Sequence, residues 1–219
     1  MSFRASAICG LAAPVTFVAG VVLGDVVQPA AFSPVNDDIS DLGASTATSP
    51  WLYNQVAANL TGVLVIGFAL GLWTALGRGI LARAGVLGLI VVGAGVFFDG
   101  MFRLDCQGID AACDNTSWHS SAHKIESGIT ATALLLTPLV LAFAFRRLPA
   151  WRRVWLPTLF ATPALIATSA ALSAYGPGVA SRAGSTVWFL WLALVAFHLL
   201  RVAPVEEPSA DPLAAAGQE

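Results

Sequence analysis

The sequence predicts an all-α polytopic membrane bundle of six transmembrane helices, and three observations carry that prediction. Of its residues 57% are hydrophobic and only 11% charged, against roughly 25% charged in soluble domains. Apolar runs of about 20 residues, the length that crosses a hydrocarbon core of roughly 30 Å, recur along the chain. The arginines fall between those runs instead of forming a stripe, and the formal net charge is −2. That balance offers no surface for nucleic acid and leaves membrane lipids as the expected surroundings.

Arg4 precedes a first span from Ala5 to Gly24, interrupted only by Pro14. A basic start before an apolar run also fits a secretory signal, with Pro29-Ala30-Ala31 ahead of Phe32 as the cleavage site. The run exceeds the usual apolar region of about 7–15 residues, so a retained first span is expected. Residues 25–54 form an acidic, Pro/Ser-rich connection holding Asp25, Asp37, Asp38 and Asp41 and no Lys or Arg. The second span runs from Trp51 or Gln55 to Leu76, with Arg78 and Arg83 in a tight turn after it. The third covers Ala84 to Phe102, and the fourth Ile125 to Phe145, followed by Arg146, Arg147, Arg152 and Arg153. The fifth runs from Val154 to Ala174, where Gly176-Pro177-Gly178 breaks it, and the sixth from Arg182 to Arg201. One transmembrane domain, 1–203, is therefore expected, with 204–219 as a disordered cytoplasmic tail.

Charge sets the orientation. Six crossings place Arg4, Arg78, Arg83, Arg146, Arg147, Arg152, Arg153 and Arg201 on one side, and only Arg103, Lys124 and Arg182 on the other. The positive-inside bias then predicts that both termini are cytoplasmic, in a plasma-membrane protein. The connection between the third and fourth spans faces the extracytoplasmic side. Glycine, alanine and serine inside the spans allow close helix approach where lipid supplies no hydrophobic drive between helices.

That connection, Asp99 to Glu126, concentrates the chemistry. It holds two of the three histidines, two of the three cysteines, the sole lysine, and the acids Asp99, Asp105, Asp110 and Asp114. Asp99 lies about 15 residues into the third span, in the outer third of the bilayer at roughly 1.5 Å per residue. An ionisable group there costs a few kcal/mol unless paired or hydrated. It is either a helix-end acid reaching water or a paired or ligating carboxylate. His119 and His123 are four residues apart, so a helix puts both on one face. Such a pair can hold zinc once a third ligand joins; Asp105 is the first choice, with Asp99, Asp41 and Glu126 as alternatives. The competing reading has the histidines cap the fourth span. Cys106 and Cys113, in an exported loop, are expected to form a disulfide, while Cys9 packs inside the first span. Gln55 and Asn59, Ser169 and Ser173, and Arg182 and Ser185 gather at the same ends, which suggests a water-filled vestibule. Arg182 there either binds an anion or pairs with Asp99 or Asp41.

Several of these segments have a familiar arrangement. Ser33-Pro34, Asp38-Ile39-Ser40-Asp41-Leu42-Gly43, Phe102 to Asp105, and Trp118-His119 with His123 resemble the bacterial and archaeal domain-of-unknown-function family 998. A Gly/Pro turn leading to Arg182 is similar too. The resemblance implies a six-pass membrane protein and implies no activity. Family members often carry proline where this chain has Cys106. The zinc-dependent membrane hydrolases of the alkaline ceramidase and adiponectin-receptor superfamily are a chemical precedent only, since their seven-span layout and ligand pattern are missing.

Three functions stay open at this stage. A zinc-dependent hydrolase of a lipid or envelope headgroup would bind metal through His119, His123 and Asp105, use Asp41 and Asp99 catalytically, and hold substrate with Arg182, Asn59 and Trp118. A non-catalytic protein would bind or transport a lipid or small solute, with Asp99 and His123 as a proton relay. An accessory subunit would dock an envelope complex through the Cys106–Cys113 loop.

Overall fold

A computed structural model describes residues 2–202, so the tail expected at 204–219 lies outside the described residues. Among these, every regular element is helical, and six helices are long and apolar enough to cross a membrane. They are α1 (Phe3–Val27), α2 (Leu52–Ala75), α3 (Ile80–Asp99), α4 (Trp118–Arg147), α5 (Trp155–Ser173) and α6 (Pro177–Val202).

Local chemistry sets the helix ends. Ser2 caps α1, its Oγ accepting the Ala5 N–H at 3.2 Å. Ser117 caps α4 in the same way through the Ser120 N–H, which starts that helix before both histidines. Pro177 opens α6, where a missing N–H costs nothing. The third span begins earlier than the charges suggest. Arg83 lies inside α3, donates to the Trp73 carbonyl at 3.0 Å and stacks 3.9 Å above the Trp73 ring. A guanidinium that hydrogen-bonds across the turn need not sit in it.

Each helix packs on its neighbours in sequence, and α6 returns to α1, so the six form a closed ring. Connections alternate between an arginine end and an end capped by residues 28–51 and 100–117, which we term the disulfide end. The ring is filled differently at the two ends. Phe68, Leu72, Leu141, Phe145, Leu192 and Leu199 are fully buried in the arginine half. A smaller cluster of Val21, Phe32, Leu42, Tyr53 and Ala57 lies toward the disulfide end.

The first nine residues of α2, Leu52–Leu60, are wound as π-helix. Such wide turns are rare and concentrate at functional sites. Gly20 of α1 lets this segment approach: a Cβ there would lie 2.7 Å from the Ala57 Cβ and 2.8 Å from the Leu52 carbonyl.

Candidate metal centre

Asp99 ends α3 with its carboxylate turned into the bundle. Its Oδ1 lies 3.0 Å from His123 Nδ1, within ion-pair distance. Tyr53, presented by the π-helical turn, donates its hydroxyl to Asp99 Oδ2. Glu126 sits one turn beyond His123 on the same face of α4, as the three-residue spacing requires. Its Oε1 accepts from Thr130, while its Oε2 is buried without a partner among the described residues. One ligand atom from each of Asp99, His123 and Glu126 lies within 4.8 Å of the other two, with His123 and Glu126 buried and Asp99 nearly so.

The cluster has a consistent internal logic. In each residue one polar atom is held from behind: Asp99 Oδ2 by Tyr53, Glu126 Oε1 by Thr130, and His123 Nε2 by Ser127 Oγ at 3.5 Å. Of the other atoms, Asp99 Oδ1 faces His123 Nδ1, and Glu126 Oε2 has no hydrogen-bond partner among the described residues. Metal ligands are oriented this way by hydrogen bonds to the atom that does not bind. Two largely buried carboxylates with oxygens within 4.8 Å of each other repel, and a neighbouring positive charge, such as a bound cation, relieves that repulsion. Gly95 of α3 makes the close approach of α4 feasible, since a Cβ there would come 2.9 Å from Glu126 Oε1. A cavity of about 170 Å³ adjoins the cluster, lined by Tyr53, Asp99, Glu126 and Thr130 together with apolar side chains of α1, α2, α3 and α4.

Several residues singled out from the sequence stand apart from this centre. The segment is helical, yet His119 and His123 do not share a ligand cluster. Four residues along a helix are separated by about 6 Å of rise, and Asp99 is level with the inner histidine. His119 instead lies 3.7 Å, ring to ring, from Trp118. Trp118 is itself exposed and packs edge-on against Phe102 at the rim. Asp105 buttresses the start of α4: its Oδ2 accepts the Ser117 N–H at 2.8 Å. The Ser117 hydroxyl and amide hold its carboxyl below the ordinary range. Asp41, in a short 3-10 helix at Ile39–Gly43, belongs to the cap over the disulfide end. Burial raises its carboxyl above the ordinary value, Asp38 and Asp37 add to the rise, and the Gly108 amide opposes it. Cys106 and Cys113 form a disulfide in this cap. Gln107, beside it, donates to the Asp41 carbonyl at 3.2 Å and to Gln28 Oε1 at 3.1 Å.

Arg182 pairs with neither Asp99 nor Asp41. It grips Asp25 through Nη2 at 2.7 Å and Nε at 3.2 Å, while Nη1 donates to the Asp37 and Gly178 carbonyls at 2.9 and 3.1 Å. Four of its five N–H donors are thereby engaged, and the contact ties the end of α1 to the start of α6. Asn59 donates to the Phe97 carbonyl at 2.6 Å, which anchors the last turn of α3 and hence Asp99. Ser169 donates to the Ala180 carbonyl and Ser173 to the Ala170 carbonyl. Tyr53, Thr130 and Asp25 are the participants that sequence reasoning missed. Of these only Asp25, an acid at the end of an apolar run, carries a signal that could have found it.

Fold and site together define a multi-pass membrane protein whose six-helix ring encloses a buried carboxylate–imidazole cluster. The chain belongs to a family described as "Protein of unknown function (DUF998)", whose model matches residues 11–198. No curated protein and no solved structure matches it.

Proposed function

We propose that Asp99, His123 and Glu126 bind a divalent cation, and that the protein is a metal-dependent membrane hydrolase acting on a lipid or envelope headgroup. The observation that carries this reading is the convergence of Asp99, His123 and Glu126, one ligand atom of each within 4.8 Å of the other two, with Glu126 Oε2 buried and without a hydrogen-bond partner among the described residues. One imidazole nitrogen with two carboxylates suits zinc or manganese. Three protein ligands also match catalytic zinc sites, which keep a position for water. A zinc ion there would lower the pKa of bound water to roughly 7. Tyr53 and Thr130 fix the two carboxylates, His123 turns inward, and the cavity admits the scissile group. In this reading Asp105, His119 and Asp41 brace the entrance, and Arg182 and Asn59 position helices instead of contacting substrate. The disulfide and the distribution of arginines support an extracytoplasmic placement of the site in the plasma membrane.

A second reading is favoured by the Asp99–His123 contact itself: the cluster relays protons in coupled binding or transport. Metal analysis of the untagged protein separates the two. Stoichiometric zinc or manganese, lost in His123→Ala and Glu126→Gln and kept in His119→Ala, supports the hydrolase. A metal-free protein whose transport is abolished by Asp99→Asn supports the relay.

A further inference from the structure

A ring of six helices leaves space along its axis unless large side chains cross it. In the arginine half Phe68, Phe145 and Leu192 fill that space. Toward the disulfide end a chamber of about 370 Å³ persists between α1, α3, α4, α5 and α6. Phe17, Val96, Ala131 and Leu134 line both this chamber and the cavity beside the cluster, so the two adjoin.

Size divides the roles of the two spaces. Small-molecule sites occupy roughly 300–1,000 Å³, and the cavity at the cluster, about 170 Å³, falls below that range. It admits a polar group and little more. The chamber at about 370 Å³ lies within the range, and Leu165, Trp188 and Phe189 make its wall apolar. Two of its three serines are engaged by the backbone, since Ser169 and Ser181 donate to the Ala180 and Gly178 carbonyls. Trp188 Nε1 is buried without a hydrogen-bond partner among the described residues. An occupant of both spaces must be polar at one end and hydrocarbon at the other. At this depth in a bilayer, lipids have that form.

We propose that the chamber binds the hydrocarbon chain of a membrane lipid whose polar end reaches the Asp99–His123–Glu126 cluster. This rests on the reading of that cluster as the functional centre and names the part of the substrate that lies away from it. The chain can come from a free fatty acid or from a phospholipid, and two probes distinguish these sources.

The test uses the full-length protein, delipidated in detergent and titrated with mid-chain dibrominated stearic acid or with phosphatidylglycerol carrying the same chain. Bromine quenches a nearby indole, and the Trp188 component is the difference between wild type and Trp188→Phe. Saturable Trp188 quenching by either probe is expected, and the stronger probe identifies the source. Ser185→Phe fills the chamber and should weaken binding about tenfold, the equivalent of a modest overpacking penalty. Ala131→Leu narrows the shared wall and should do the same if Ser185→Phe fails to fold. Quenching untouched by both substitutions, or no Trp188 component with either probe, overturns the proposal. Metal content measured on the same samples keeps the two readings apart. Chain binding without metal leaves the chamber and removes the hydrolase; metal without chain binding does the reverse.

Discussion

The Asp25–Arg182 contact gives a prediction whose size can be worked from the structure. Both side chains are only 17% exposed, so Arg182→Ala leaves a carboxylate buried and uncompensated. Breaking a buried pair from one side costs about 3–5 kcal/mol; the residual exposure places this one near the lower limit, about 3 kcal/mol. The Asp37 carbonyl also loses its donor, at about 1 kcal/mol if water does not replace it, whereas the Gly178 carbonyl keeps the Ser181 hydroxyl. Replacing both partners, as Asp25→Leu with Arg182→Met, removes the stranded charge but leaves the Asp37 carbonyl without its donor. The double variant should therefore recover about three quarters of the loss, a penalty of about 1 kcal/mol remaining. Thermal unfolding in detergent is the assay. At about 2–4 °C per kcal/mol for a chain of this size, Arg182→Ala should lower Tm by about 10 °C and the double variant by about a quarter as much. Additive losses in the double variant, or an Arg182→Ala protein with unchanged Tm, would refute the view that this arginine locks α6 to α1.

The other expectations concern the site and its cap. Gly95→Ala should push α4 away from α3, because the added Cβ would meet Glu126 Oε1 and the Thr130 Cβ, each at 2.9 Å. An overpacking loss of about 1–3 kcal/mol and loss of bound metal are expected, read by unfolding and metal analysis. Asp41→Asn tests the cap through pH. A raised folded pKa means that Asp41 favours the folded state below its ordinary value of 3.8 and loses that contribution as pH rises through the folded value. The asparagine variant should therefore unfold at a higher temperature than wild type at pH 7.5, with the difference closing by about pH 4. A wild type more stable than the variant at pH 7.5 would contradict that assignment.

Much of this molecule is written in its sequence at the level of composition. Six apolar runs led directly to the bundle, and the misplaced Asp99 to one residue of the candidate cluster. The histidine pair was the less reliable guide. Spacing by four proves a shared helix face and says nothing about depth, and depth decides which imidazole meets Asp99. Glu126 stood among the candidate ligands, yet its choice depends on Gly95 permitting contact between α3 and α4. Tyr53 was hidden for a different reason. A π-helical turn changes which residues share a face, and no periodicity in Leu52–Leu60 announces it. Arg182 was recognised as a residue needing a partner, but closure of the ring, which no local pattern encodes, brings Asp25 to it across 157 positions.

The central claim is that Asp99, His123 and Glu126 form one cation-binding centre. X-ray absorption at the metal edge, on untagged protein carrying its bound metal, tests it most directly. The expected first shell holds one imidazole nitrogen and carboxylate or water oxygens at about 2.0–2.2 Å, without sulfur, and it disappears in Glu126→Gln. Two imidazoles in that shell, or protein that binds no zinc or manganese at all, would contradict the account.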